Sequence, residues 1–196
     1  MGLTGGIGAG KSTALAALER LGAAVLSTDA VVHELYERDA RLREAVVARF
    51  GPDVAPGGVI DRAVVAERAF ADPRDRGWLE QLLWPLVGAR VAAWLQEVRA
   101  ARGRGPAGPR AAVVEVPLLF ESGMGDSYDA TIAVVAEESV RRERAARRAH
   151  VLVDERAARQ LPQHQKAQKA TFVVRNDGSE EDLARELSAV LEKLSA

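Results

Sequence analysis

The sequence predicts an α/β fold with three layers, in which a parallel five-stranded sheet lies between helices. Short apolar runs predict the strands, at residues 1–4, 23–26, 111–116, 130–135 and 171–174. Apolar residues at helical spacing lie between these runs, which is typical of parallel strands joined by crossover helices. A glycine-rich segment directly follows the first run. We therefore expect a strand–loop–helix unit at the start of the chain.

Residues 5–12, GGIGAGKS, fit the phosphate-binding pattern G-x-x-x-x-G-K-[ST] at every fixed position. Glycines let backbone N–H groups curl around a phosphate without a Cβ in the way. Lys11, which we expect to be exposed, would place its ammonium on the β- and γ-phosphates, and Ser12 would hold Mg²⁺ through its hydroxyl. The predicted ATP-binding residues of this loop are Gly6, Gly8, Ala9, Gly10, Lys11, Ser12 and Thr13.

Composition narrows the possible partners. The 196 residues carry a net charge of −1 and no cysteine, which argues against nucleic acid or an anionic membrane as a partner and excludes disulfides. No apolar stretch reaches the ~18 residues of a membrane-spanning helix, and we see no signal peptide. We expect a single cytoplasmic domain that is a monomer or a weak homo-oligomer.

Asp29 follows the second predicted strand at the edge where open α/β sheets bind ligands. A carboxylate there suits proton abstraction from a hydroxyl. Because Asp also caps helices well, spacing alone leaves catalysis and an N-cap role open.

The chain between the second and third strands is predicted to be helical, with a helix break at Pro85 and with the three tryptophans in the core. We assign residues 1–29, 111–138 and 171–196 to the nucleotide-binding core. Residues 30–110 form a helical insert for the acceptor, and residues 139–170 form a lid with a second helix at 154–161.

Arginines on the lid and acids near the third strand complete the candidate residues. Arg141, Arg144 and Arg148 share one helical face, which suits cations that cover a γ-phosphate. A solvated face is the alternative. Glu115 and Glu121 lie near the carboxyl end of the third strand and either assist Mg²⁺ or are solvated.

Among phosphate-loop proteins, a small-molecule kinase explains these features best. The chain lacks the Asn-Lys-x-Asp signature of GTPases and the paired strand-end acids of mechanical ATPases. A nucleotide sensor needs no strand-end Asp with an arginine-rich lid, whereas a kinase uses a helical acceptor insert and a lid that excludes water. We therefore expect a P-loop kinase fold.

Three segments resemble the dephospho-CoA kinases. They are LTGGIGAGKST at residues 3–13, TDA at 28–30 and VPLLFE at 116–121. The late segments QLP at 160–162 and VVRNDG at 173–178 look like the same family's lid exit and adenine loop. The resemblance covers nearly the whole chain in the right order.

This resemblance implies transfer of the γ-phosphate of ATP, with Mg²⁺, to the ribose 3′-hydroxyl of dephospho-CoA. It implies that Asp29 is the base, that Arg144 and Arg148 are catalytic lid arginines, and that Asn176 lines the adenine pocket. The acceptor-binding residues that it implies are Asp29, His33, Leu118, Leu119, Phe120 and Glu121. A P-loop small-molecule or nucleotide kinase with a different hydroxyl or phosphate acceptor is the alternative.

The chain departs from the family pattern at a few positions. Ser27 stands where the family often has a second Asp, His33 where it often has Arg, Trp84 where it commonly has His, and Thr171 where it frequently has Asp. The lid arm is one residue longer near residues 147–148, so that Arg147 is an alternative to Arg148.

Overall fold

The computed structural model describes residues 1–102, 108–147 and 160–194. The chain forms two compact units. One comprises Met1–Ser27 with Leu95–Ala196, and the other comprises Thr28–Trp94. Among the described residues, no helix is both long and apolar enough to cross a membrane.

A parallel five-stranded sheet forms the centre of the first unit, as predicted. Its strands are β1 (Gly2–Gly5), β2 (Ala24–Ser27), β3 (Ala112–Glu115), β4 (Thr131–Val135) and β5 (Phe172–Arg175). Their order is β2-β3-β1-β4-β5, and every neighbouring pair is parallel. The first strand therefore lies in the middle, and the loop that follows it leaves the centre of the sheet.

Helices flank this sheet on both faces. Leu3 packs in one apolar cluster with residues of α1 (Lys11–Arg20) and of the last helix, Glu180–Lys193. The next residue of β1, Thr4, contacts Lys166 of the helix Gln163–Lys169. Successive strand side chains point to opposite faces, so these helices cover opposite faces of β1. This is the three-layer arrangement that the sequence predicts.

The second unit is helical, without a strand in residues 28–94. It contains α2 (Thr28–Arg38), α3 (Ala40–Phe50), α4 (Arg62–Ala71) and most of α5 (Pro73–Arg102). Asp61 caps α4, because its carboxylate accepts from the amides of Ala63 and Val64 at 2.9 and 3.3 Å. The core of this unit consists of Tyr36, Leu42, Val46, Val54, Ile60 and Val65.

Two expectations about this region are wrong. Helix α5 continues through Pro85, although a proline inside a helix removes a hydrogen bond and clashes with the preceding turn. Leu83 and Leu86, on either side of Pro85, pack against the core of this unit and so hold both parts of the helix in place. Trp84 is 58% exposed and is not a core residue. Trp78 does pack against the core, where its ring meets Phe50 edge-on at a centroid distance of 5.6 Å.

The C-terminal half contributes α6 (Glu138–Arg147), α7 (Gln163–Lys169) and α8 (Glu180–Lys193). Helix α7 contacts β1 and β4, although it falls within residues 139–170, which we assigned to the lid. Helix α7 lies against the sheet because the side chain of its Lys166 is fully buried there. The helix predicted at 154–161 lies mostly outside the described residues, while Leu161 and Pro162 are non-helical, as expected from the proline.

Helix α8 begins with a capping box. The Ser179 hydroxyl accepts from the Asp182 amide at 3.1 Å, and the Asp182 carboxylate accepts from the Ser179 amide at 3.1 Å. The acids of this first turn also suit the positive end of the helix dipole. Leu183, Leu187, Val190 and Leu191 bury the inner face of the helix.

Replacement of Ser179 by alanine should remove one half of this cap and lower the free energy of unfolding by about 1 kcal/mol. Urea unfolding followed by circular dichroism measures the change. Ser188→Ala, in the interior of the same helix, is the matched control and should leave stability unchanged or slightly raised. Equal losses for both variants would contradict the capping role.

Candidate active site

The phosphate loop, residues 5–12, connects the middle strand to α1. Gly8 and Gly10 have φ values of +75° and +91°, a conformation that L side chains rarely adopt. A Cβ on Gly8 would overlap the backbone carbonyl of Arg141, and a Cβ on Gly10 would overlap the side-chain amide of Asn176. Glycine is therefore required here both by backbone conformation and by close neighbours.

Lys11 is the first residue of α1 and is half-buried, not exposed as we expected. Its ammonium donates to the carbonyl oxygens of Gly5 and Gly6 at 3.0 and 3.2 Å. Long side chains readily fold back in this way, because the methylene stem packs while the charged end finds polar partners. The positive charge is thereby held at the loop. Ser12, the next residue, is exposed on the first turn of the helix.

Asn176 joins the phosphate loop to the end of the sheet. Its side-chain amide donates to the Ala9 carbonyl at 2.9 Å, and its backbone amide donates to the Val135 carbonyl at 2.8 Å. The residue is only 5% exposed. Because one side-chain hydrogen bond links the turn after β5 to the loop after β1, Asn176 supports the loop's shape as well as its surroundings.

Two arginines of α6 also contact this region. Arg141 Nε donates to the Ile7 carbonyl at 3.0 Å, and Arg144 donates to the Asn176 carbonyl at 2.9 Å. A solvated face therefore does not describe these two side chains. Arg148 lies outside the described residues.

A pocket forms where the loop, α6 and the turn after β5 meet. It brings together four of the predicted ATP-binding residues and one predicted lid arginine. The lining residues are Gly8, Gly10, Thr13, Arg144, Asn176, Gly178 and Glu180. We did not predict Gly178 or Glu180 as site residues, although the Asn-Asp-Gly turn after the last strand placed them at the carboxyl edge of the sheet.

The segment after β3 is partly exposed and is anchored from within. Leu118 and Phe120 are half-buried, while Leu119 is completely buried and packs the segment against the core. The carboxylate of Glu121 accepts from the Leu161 amide at 2.8 Å and forms an ion pair with Lys166 at 2.9 Å. Glu121 is thus engaged inside the protein.

Lys166 is a functional candidate that the sequence analysis missed. It is 0% exposed, and burial lowers its pKa, while the hydrogen bond and the charge of Glu121 oppose that shift. A lysine surrounded by polar residues in a short helix looks like a surface residue in the sequence. Only its place opposite Thr4 and Glu121 reveals its burial.

Neither acid near the third strand is solvated, which removes that alternative. Glu115 is 8% exposed at the end of β3, and the side chain of Glu121 is 12% exposed. Among residues 1–102, 108–147 and 160–194, no group of three or more His, Cys, Asp or Glu side chains is arranged to hold a metal ion.

Asp29 and His33 lie in the helical unit. Helix α2 begins at Thr28, so Asp29 occupies its first turn and is not its N-cap. Asp29 is exposed. His33 contacts Arg62 through Nδ1 at 3.1 Å and Glu37 through Nε2 at 3.2 Å. Its ring is therefore held between a guanidinium group and a carboxylate of its own unit.

Together, the glycine loop between the central strand and a helix, the lysine at the loop and the arginines above it define a P-loop nucleotide-binding protein. Comparison with known proteins narrows this class. A family model for dephospho-CoA kinase matches residues 1–182. The curated dephospho-CoA kinase of Deinococcus radiodurans is 39% identical, over 99% of this chain and 91% of that protein.

Two further relatives agree. A curated dephospho-CoA kinase of Thermus thermophilus is 37% identical, over 100% of this chain and 91% of that protein. The solved structure of a dephospho-CoA kinase from Campylobacter jejuni is 25% identical, with a TM-score of 0.69 over 99% of this chain and 96% of that one. The chain therefore belongs to the dephospho-CoA kinase family, a family of ATP-dependent phosphotransferases that act on a hydroxyl group.

A solved Thermus thermophilus protein has the same fold. Its crystal structure is 34% identical to this chain and has a TM-score of 0.77, covering 100% of this chain and 97% of that one. The predicted family and the predicted fold are both confirmed.

Gly10→Ala should raise the dissociation constant for ATP by about tenfold or more, the equivalent of at least 1.4 kcal/mol. The reason is that the new methyl group must displace the Asn176 amide and strain the backbone. Isothermal titration calorimetry measures the effect. Gly88→Ala, in the open interior of α5, makes the same chemical change and should leave ATP affinity unaltered. Unchanged affinity for Gly10→Ala would contradict the proposed role of the loop.

Proposed function

We propose that this protein transfers the γ-phosphate of ATP to the ribose 3′-hydroxyl of dephospho-CoA, producing ADP and coenzyme A. The single observation that carries the proposal is the glycine loop after the middle strand, in a chain of the dephospho-CoA kinase family. Asn176 donates a hydrogen bond to this loop, and Arg144 donates one to Asn176. The family supplies the acceptor, and the loop supplies the site for the phosphates.

The phosphate loop would bind ATP through its backbone amides and through Lys11. At Gly8 and Gly10 neighbouring groups occupy the positions that a Cβ would take, so only glycine allows the tightly curled backbone that would wrap a phosphate. On binding, the Lys11 ammonium would exchange the Gly5 and Gly6 carbonyls for phosphate oxygens, whose charge makes stronger hydrogen bonds. The first turn of α1 adds its N-terminal dipole.

Ser12 fits the role of a Mg²⁺ ligand, because its hydroxyl is exposed on the first turn of α1, next to Lys11. Bound there, Mg²⁺ would neutralise charge on the β- and γ-phosphates.

The arginines would stabilise the transferring phosphoryl group. Arg144 lines the pocket beside Gly10, and its guanidinium can turn from the Asn176 carbonyl toward an anion of higher charge. We assign the same task to Arg148, four residues further along the chain. Asn176 and the turn that follows it would bound the adenine side of the pocket.

Acceptor binding is assigned to Asp29, His33 and residues 118–121, and to the helical insert, residues 30–110. Asp29 is exposed and is the second residue after the end of β2, so its carboxylate is available to accept a proton from the 3′-hydroxyl. We also propose that the protein acts in the cytoplasm as a monomer or a weak homo-oligomer.

Product analysis tests the proposed reaction. The purified protein is incubated with Mg-ATP and, separately, with dephospho-CoA, AMP, CMP, gluconate or shikimate. Of these five acceptors, we expect only dephospho-CoA to be phosphorylated rapidly, with coenzyme A as the product. Rapid turnover of another acceptor, with dephospho-CoA inert, would overturn the proposal.

Lys11→Ala should lower kcat by about 10³-fold, because the lost cation stabilises phosphate charge that develops in the transition state. Lys11 does not belong to the apolar cluster on its face of the sheet, so the melting temperature should remain close to that of the wild type. Steady-state kinetics and differential scanning calorimetry measure the two effects. Lys193→Ala, at the exposed end of α8, serves as the control. A parallel loss of stability and activity in Lys11→Ala would point to a structural role.

Asp29→Asn should lower kcat by at least about 10²-fold, since the amide keeps the shape of the carboxylate but cannot accept the proton. ATP affinity and melting temperature should stay near their wild-type values because the side chain is exposed. Asp53→Asn, at another exposed acid of the helical unit, controls for the loss of charge. A variant that keeps turnover within about threefold of wild type, far short of a general-base contribution, would show that another group is the base.

A further inference from the structure

We infer that Lys166 positions the acceptor segment, which we define as residues 118–121, for the phosphotransfer reaction. This inference rests on the proposed function, because that function assigns the segment to acceptor binding. Lys166 itself would not touch the substrate. It would act through the backbone and side chain at the two ends of the segment.

The contacts of Lys166 use the full donor capacity of its ammonium. Its Nζ donates to the Pro117 carbonyl at 2.6 Å, to Glu121 Oε1 at 2.9 Å and to Thr4 Oγ1 at 3.3 Å. An ammonium has three donors, so these partners account for all of them. At 0% exposure, this geometry is held without competition from solvent.

These partners bracket the acceptor segment. Pro117 immediately precedes it, and Glu121 is its last residue, so one charged group fixes both ends. Between them, Leu118 and Phe120 are half-buried, which leaves part of each side chain accessible. A short segment that is fixed at both ends has few ways to relax, and its accessible side chains are therefore held in place.

The same network reaches β1, just before the phosphate loop, and the chain just before α7. Thr4 directly precedes Gly5, the first residue of the phosphate loop, and the Thr4 hydroxyl also donates to the Pro117 carbonyl at 3.3 Å. Glu121 accepts from the Leu161 amide at 2.8 Å. Lys166 thus sets the distance between the acceptor segment and the strand that carries the phosphate loop.

Stability alone does not account for a buried pair of this kind. Removing an ammonium and a carboxylate from water is costly, and well-packed apolar residues often stabilise a protein as well or better. A network with fixed directions does, however, specify one arrangement of its partners. That is a useful property for a segment that must present an acceptor in line with a phosphate.

Lys166→Met tests the inference, because methionine has a similar length but carries no charge and no donor. We expect kcat/KM for dephospho-CoA to fall by about 10²-fold, the effect of a small misplacement of a reacting group. The KM for ATP should remain within about threefold, since the phosphate loop keeps its own contacts. Glu121→Gln should act in the same direction, with a fall of about tenfold.

Two controls lie on the same helix. Lys169→Met makes the same substitution at an exposed position and should leave both KM values unchanged. Gln163→Leu removes the side-chain hydrogen bonds to the Ala136 carbonyl and amide, at 2.8 and 3.2 Å, and so weakens the attachment of α7 without touching the acceptor segment. If Gln163→Leu and Lys166→Met give equal losses for the acceptor, Lys166 is only structural and the inference is wrong.

The double variant Lys166→Met/Glu121→Gln keeps the test valid if the single variant fails to fold, because it leaves no unpaired buried charge. We expect its melting temperature to approach that of the wild type while the selective defect for dephospho-CoA persists. Wild-type acceptor kinetics in this variant would overturn the inference alone. A wild-type protein that does not phosphorylate dephospho-CoA would instead overturn the proposed function, and the inference with it.

Discussion

The close approach of other backbone and side-chain groups to Gly8 and Gly10 is the constraint on which the site depends. The phosphate loop is not a free strand-to-helix turn, because the Arg141 carbonyl and the Asn176 amide occupy the positions that side chains would fill. Protein interiors are close-packed, so a side chain at either position would find no free space. The loop is therefore held in its shape by the same neighbours that line the pocket beside it.

Those neighbours come from distant parts of the sequence, and the parallel sheet explains why they meet. Every strand of a parallel sheet ends at one edge, so the loop after β1, the start of α6 after β4 and the turn after β5 converge there. Hydrogen bonds then fasten the three to one another: Asp177 accepts from the Glu137 amide at 2.5 Å, while Arg144 and Asn176 link α6 to the loop. The first turns of α6 are thus fixed to the sheet.

Local patterns predicted the parts of this arrangement that local forces determine. The glycine loop and the five strands each follow from a few adjacent residues, and the structure has all of them. The errors arise where tertiary packing decides the outcome. Nothing adjacent to Pro85 shows that α5 will continue through it, and nothing adjacent to Trp84 or Lys166 shows that the first is exposed and the second buried. Those outcomes depend on which side chains of α5 face the core of the second unit and on which side of α7 faces the sheet.

The two faces of the central strand, β1, make different kinds of contact. Leu3 faces the apolar cluster with α1 and α8, which supplies hydrophobic stabilisation in proportion to the area buried. Thr4, the next residue, faces the polar network of Lys166, Pro117 and Glu121, which adds direction more than stability. Adjacent residues of one strand point to opposite faces of the sheet. Apolar packing on one face can therefore stabilise a strand, while directional hydrogen bonds on the other face fix the positions of its neighbours. Substitutions at Leu3 are therefore expected to act on the free energy of unfolding, and substitutions at Thr4 on the contacts with Lys166 and Pro117.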